Sequence, residues 1–198
     1  MGKFSRLMLA AQLTALAALF TLTTAGCADT SGGGGGVNVV KNPEPTSQPG
    51  SGIPPDKEAE VQLLLQQRNP NKYHSGGLWA NSCCGHPRPG ERTVAAACRR
   101  LEEELGVTSV LSFGFFARYN SELDHGMQEN EFVYVYFGRL TAQTRPDPTE
   151  VTDVGLLSWE AISRRIGRDP SAFTVWLQHY FCEHGADIRR LASEAALR

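Results

Sequence analysis

The alternation of apolar and polar positions changes period several times along the chain, and each change marks an element. From Leu7 to Leu22 the residues are apolar apart from Gln12, Thr14 and Thr21. Lys3 and Arg6 stand ahead of this run, and the small residues Thr24, Ala25 and Gly26 follow it. A positive start, an apolar centre and a small-residue end form the pattern of an export signal, although a buried apolar helix has a similar composition. Order begins again near Val61, where Val61–Leu65 is a short apolar strand candidate leading into a turn at Asn69-Pro70-Asn71. Over Glu91–Leu105 the period is helical: Val94, Ala97, Cys98, Leu101 and Leu105 form one apolar stripe, and Gly106 stands just past its end as a stop. Strands are expected at Val107–Phe116, Glu131–Leu140 and Val151–Trp159, the second apolar on both faces and hence central and covered. Asp169-Pro170 reads as a helix start, with a helix through Trp176 to about Cys182 and a last one from about Asp187 to Leu197. Strands interleaved with helices predict an α/β sandwich.

Composition sharpens the domain boundaries. Residues 28–60 hold the glycine run Gly32–Gly36 and then Pro43, Pro45, Pro49, Pro54 and Pro55, too little apolar surface to offset ordering entropy, so a disordered linker is expected there. The organisation expected is therefore a signal-like segment over 1–27, the linker over 28–60 and one domain over 61–198. The first segment looks like a bacterial lipoprotein signal with Cys27 as the lipidated residue and a possible membrane tether, departing from that pattern at Thr24, where Leu is usual. An upstream start that is never translated is another reading of the same residues. With 41% hydrophobic and 20% charged residues the rest is ordinary for a globular protein, and a net charge of −2 gives no reason to expect nucleic acid as a partner. The five cysteines are odd in number, lack zinc-ribbon spacing and include the neighbours Cys83 and Cys84, so reduced thiols fit better than a disulfide framework.

Three motifs carry the chemistry. Gly85, Glu91, Arg99, Leu101, Glu103, Glu104, Gly106 and Val107 match every fixed position of the Nudix box, G-x5-E-x7-R-E-U-x-E-E-x-G-U, except that Arg100 replaces a Glu. A loop leading into a helix that presents carboxylates can hold a cation, which in turn holds a diphosphate. Arg99–Glu103 and Arg100–Glu104 are also i,i+4 pairs, so a salt-laced helix surface is the plainer reading. The second motif runs Trp79-Ala80-Asn81-Ser82-Cys83-Cys84-Gly85-His86-Pro87. The third is Glu129-Asn130-Glu131, whose two carboxylates share one side of an extended chain and can converge on one ion.

Together these motifs resemble type I isopentenyl-diphosphate isomerases of the Nudix superfamily, whose signature W-T-N-[ST]-x-C-G-H-P differs only in having Thr at Ala80. The resemblance covers the chain from about Val61 to Arg198 and implies a Nudix-like α/β/α sandwich with a mixed sheet. It implies a 1,3-proton shift interconverting isopentenyl and dimethylallyl diphosphates, with Cys84 and Glu131 as acid and base on opposite faces of the allylic unit. A divalent cation (manganese, magnesium or zinc) would sit on His86, Glu129 and Glu131, and a magnesium ion on Glu104 would bridge to the diphosphate. Arg68, Lys72 and Arg100 would bind the diphosphate, Arg100 favouring isomerisation because an Arg there repels hydrolytic metal ions. Tyr119 and Trp176 fall where the family surrounds the isoprenoid with aromatics, and aromatic faces suit a carbocation that cannot accept or donate a hydrogen bond. Cys83 is assigned to packing, and His74, His125, His179 and His184 to surface or structural roles.

The resemblance also implies an N-terminal portion, with sheet strands, a substrate-binding lysine and two further histidines for the metal, that is not recognisable before Val61. The domain is therefore expected to be N-terminally truncated, with an uncovered sheet edge and a weak cation site. The expected partner is a small isoprenoid diphosphate, and the chain is expected to be a monomer. Resemblance points to the cytoplasm and the N-terminal segment to export. A Nudix diphosphate hydrolase and a catalytically impaired lipoprotein that keeps the fold for binding are the alternatives.

Overall fold

The computed structural model describes residues 16–25 (backbone), 61–123 and 126–197. The linker expected over 28–60, the lipidation expected at Cys27 and His125 lie outside the described residues. Among the described residues, seven strands form one mixed sheet: β1 (Leu16–Ala25), β2 (Gln62–Arg68), β3 (Trp79–Asn81), β4 (Cys83–Gly85), β5 (Ser112–Glu122), β6 (Gln128–Arg139) and β7 (Val151–Ser158). Four helices pack on it: α1 (Thr93–Leu105), α2 (Trp159–Arg168), α3 (Val175–Glu183) and α4 (Gly185–Ala196).

The sheet forks, and the fork positions the site. The first half of β2 pairs in parallel with the start of β1, Leu16 opposite Gln62, while its second half pairs antiparallel with β3. Further along, β1 leaves β2 and pairs in parallel with β4, Leu22 opposite Gly85. Its other edge runs antiparallel to β6 over its whole length, ending with Ala25 opposite Glu131. β7 flanks β2, and β5 flanks β6. The apolar stretch that reads as an export signal thus supplies an interior strand, and its backbone fills the place where an uncovered edge is expected. A largely apolar run, interrupted within the strand by Thr21, Thr23 and Thr24, suits an interior strand as well as it suits a signal or a buried helix.

Alternate residues of each strand feed two cores. Leu63, Leu65, Val133, Val135 and Phe137 face α3 and α4, where they meet Trp176, Leu177, Tyr180 and Ile188. Leu64, Cys83 and Tyr136 face the opposite way, onto Ala97, Leu101 and Leu105 of α1. Each leucine fully withdrawn from water contributes about 1.5–3 kcal/mol, so the two faces of β2 tie both helix layers to one strand. The stripe read on α1 is the buried one, and Gly106 ends the helix in the left-handed conformation (φ 64°) with its N–H on the Glu102 carbonyl.

Several boundaries differ from the sequence reading. α1 begins at Thr93 rather than Glu91, and β5 begins at Ser112 rather than Val107, since Val107 packs against α1 and Val110 is exposed. β6 is covered on both faces only in its second half, because Phe132 stands 42% exposed beyond the reach of α1. Pro170 starts a separate short 3-10 turn, and α3 begins at Val175. α2 is unforeseen: it buries only Ile162, so its polar residues conceal the period, while the Ser158 hydroxyl caps it by accepting from the Ala161 N–H at 3.2 Å.

Candidate functional site

Where β2, β3 and β4 diverge, a pocket of about 340 Å³ opens between the sheet, the start of α3 and the turn after β2. Arg68, Lys72, Cys84, His86, Arg100, Glu104, Tyr119, Glu129 and Trp176 all line it. Its size falls within the range of small-molecule sites. Of the catalytic, substrate-binding and metal residues expected from sequence, Glu131 alone does not line the pocket surface. It lies just behind, 9% exposed, with one carboxylate oxygen 3.7 Å from His86 Nε2.

The thiol end of the pocket is built by Asn81. This fully buried amide accepts from Cys84 Sγ and from Trp176 Nε1, each at 3.1 Å, and donates through Nδ2 to the Cys83 carbonyl at 2.6 Å. One side chain from β3 therefore ties together the two cysteines of β4 and the indole of α3. Cys83 points into the α1 core, and burial followed by the neighbouring Glu104 charge pushes its thiol well above the usual range. Cys84 lies on the opposite face of β4 and opens to the pocket, since side chains alternate along a strand.

At the carboxylate end, β6 presents Glu129 and Glu131 to one side. Tyr119 donates its hydroxyl to Glu129 Oε2 at 2.8 Å, and burial pushes the phenol far above its usual range. Burial first, and then the charge of Glu131, raise Glu129. The interaction with Glu131 raises the His86 imidazole in spite of partial burial. His74, read from sequence as surface or structural, is only 6% exposed and so not at the surface, with Nε2 at 3.5 Å from Glu129 Oε1 and its ring edge-on to Trp176.

Among the described residues no three His, Cys, Asp or Glu side chains are close enough together to enclose an ion. The donors stand instead as two facing pairs, His74 with Glu129 and His86 with Glu131. The chemistry of the set nevertheless fits a divalent cation. Glu131 Oε2 is buried without a hydrogen-bond partner, and the charge of Glu131 makes Glu129 costlier to ionise unless a positive charge joins them.

The basic wall is more heavily paired than its sequence conveys. Lys72 pairs with Glu150 from the start of β7, and Arg100 reaches Glu103 at 2.8 Å, Glu104 at 2.5 Å and Glu150 at 3.1 Å. Burial alone would raise Glu150, but the hydrogen bond and charge of Lys72, together with Arg100, hold it below its usual value. Glu104 is buried and raised by that burial, with Arg100 on one oxygen and Gln66 donating to the other at 2.8 Å. Arg68 is buried over the Trp176 ring, 5.3 Å from its centroid, and donates to the His74 carbonyl. The pairing expected along α1 is present as well: Arg99 joins Glu103 and also Glu91.

Sequence reasoning passed over Asn81, Gln66, Glu150 and the placement of His74. Only Asn81 sat inside a motif; the other three act through contacts that no local spacing discloses.

Comparison with known proteins follows this geometry. The NUDIX domain model matches residues 47–177. The isopentenyl-diphosphate Delta-isomerase of Pectobacterium atrosepticum is 47% identical over 120 residues, covering 61% of this chain and 67% of that protein. The chain belongs to the isopentenyl-diphosphate Delta-isomerase family of Nudix proteins. The relative bearing the same name from Streptomyces avermitilis is 40% identical over 141 residues, covering 70% of this chain and 71% of its own length. The chain thus spans about two thirds of the length of these relatives. Among solved structures, the MutT protein from Methanosarcina mazei Go1 overlays with a TM-score of 0.48 at 16% identity, over 64% of this chain and 84% of that one. The NUDIX match begins well after β1, so the strand Leu16–Ala25 lies outside the matched region.

Proposed function

We propose that this protein interconverts isopentenyl and dimethylallyl diphosphates by a 1,3-proton shift, with Cys84 and Glu131 as the acid/base pair. The observation that carries this reading is the joining, in one pocket, of a thiol, an aromatic wall and a basic wall in a chain 40–47% identical to isomerases of that name. Cys84 offers a proton from the face lined by Asn81 and Trp176. Glu131 accepts one from the side held by His86. Protonating the double bond creates a tertiary cation, and the Tyr119 and Trp176 rings supply the stabilisation that hydrogen bonds cannot.

Lys72 and Arg100 hold the diphosphate in this reading, exchanging Glu150 for phosphate oxygens, and Arg68 adds its charge from beneath Trp176. His86, Glu129 and Glu131 would hold a divalent cation that neutralises the carboxylate pair, and Glu104 would hold a magnesium ion that supplies positive charge for the diphosphate. The two cysteines provide the test. Cys84→Ala abolishes isomerisation, whereas Cys83→Ala retains most of it and lowers only stability, read by turnover and urea denaturation. Equal loss of turnover from both substitutions contradicts the assignment.

A further inference from the structure

His74 lies in the turn Asn69–Leu78, away from every motif, and is nonetheless one of the most deeply placed polar groups of the pocket. Several contacts hold it there. Its carbonyl accepts from Arg68 at 3.2 Å, its ring edge meets Trp176, and its Nδ1 stands 3.1 Å from the Ser75 hydroxyl. Ser75 has φ 51°, and it is the only residue besides glycine with a positive φ among the described residues. Backbone strain of this kind persists where the surroundings over-determine a conformation. The His74 imidazole is turned inward, with Nε2 facing Glu129.

The two imidazole–carboxylate distances are informative. At 3.5 Å (His74 to Glu129) and 3.7 Å (His86 to Glu131), both exceed a normal N–H···O hydrogen bond. Two donors that share one divalent ion, each about 2.1 Å from it at angles of 90–110°, stand about 3.0–3.5 Å apart. The spacing is therefore near that of neighbouring ligands. Beside them, Glu131 is nine-tenths buried, with an oxygen that lacks a partner.

We propose that His74 is a ligand of the divalent cation, binding through Nε2 beside Glu129, and that Ser75 fixes its tautomer by accepting a hydrogen bond from Nδ1–H. The inference rests on the isomerase reading for the identity of the site, and extends its ligand set to a second imidazole. A hydrogen bond to the far ring nitrogen is the usual way in which a ligating histidine is oriented.

The test uses the full chain, stripped with chelator and titrated with Mn²⁺ alone, the free ion being followed by electron paramagnetic resonance. His74→Ala weakens Mn²⁺ binding by about 10–100-fold, a loss similar to that from His86→Ala. Ser75→Gly suits the positive φ and removes the hydroxyl together with its methylene, so it weakens binding by a smaller factor, about 3–10-fold. If His74→Ala binds within twofold of the parent while His86→Ala does not, the inference is overturned and the isomerase reading stands. If the parent itself binds no Mn²⁺, both fail. Should His74→Ala fold poorly, a chain carrying His125→Gln, His179→Gln and His184→Gln leaves His74 and His86 as its only imidazoles. Electron spin-echo modulation with ¹⁵N-histidine then counts two coordinated nitrogens if His74 is a ligand, and one if it is not.

Discussion

Replacing Asn81 with Ala probes the construction of the thiol end. The substitution removes the acceptor of the Trp176 N–H and the donor to the Cys83 carbonyl, both in dry surroundings. Each buried group left without a partner costs about 1–3 kcal/mol, so the expected loss is about 4 kcal/mol. At about 2–4 °C per kcal/mol for a chain of this size, Tm falls by about 8–16 °C. Urea denaturation followed by far-ultraviolet circular dichroism measures the loss without relying on tryptophan emission. Trp176→Phe removes the orphaned indole N–H, so Asn81→Ala costs about 1–2 kcal/mol less in that background. Catalysis responds too, since Cys84 loses the acceptor that orients its thiol, and kcat falls about 10–100-fold at temperatures where the variant stays folded. Additivity of the two substitutions within 0.5 kcal/mol would refute the bridging role of Asn81.

Two further perturbations act on the charged wall and the loop before α1. Glu150 competes with an incoming anion for Lys72 and Arg100, so Glu150→Gln tightens inorganic pyrophosphate binding by about 3–10-fold in calorimetry; weaker binding would mean that Glu150 positions those cations instead. Glu91 is lowered to about 2 from 4.5 by the Arg99 hydrogen bond and the Arg88 N–H, so its stabilisation is complete above pH 4.5 and lost as pH falls through about 2. Glu91→Gln accordingly lowers Tm at pH 7 and by much less at pH 2, where little of the stabilisation is left, and equal differences at both pH values contradict the linkage.

Local spacing made part of this molecule legible. The stripe Val94–Leu105 with Gly106 behind it identified α1, and the motif residues Cys84, His86 and Glu104 fell into one pocket as their spacing implies. Non-local pairing was not legible. Glu150 meets Lys72 and Arg100 from a distant strand, and nothing in Pro148–Val151 announces that contact. His74 meets Trp176 and Glu129 from α3 and β6, contacts across the fold that its neighbours in the turn do not announce. The apolar run from Leu16 carried no period to separate strand from leader, and only its pairing with β2, β4 and β6 assigns the backbone. α2 was hidden for the opposite reason, as one buried residue in ten leaves too faint a stripe.

The proposed chemistry is tested most directly by following isopentenyl diphosphate in D₂O with the full chain and Mg²⁺, using ¹H and ³¹P nuclear magnetic resonance together. The account predicts dimethylallyl diphosphate with deuterium incorporated from solvent, the diphosphate resonances retained, and no product when Cys84 is Ala. Release of inorganic phosphate with the carbon skeleton unchanged would make the protein a hydrolase and contradict the account, as would recovery of substrate with no deuterium in it.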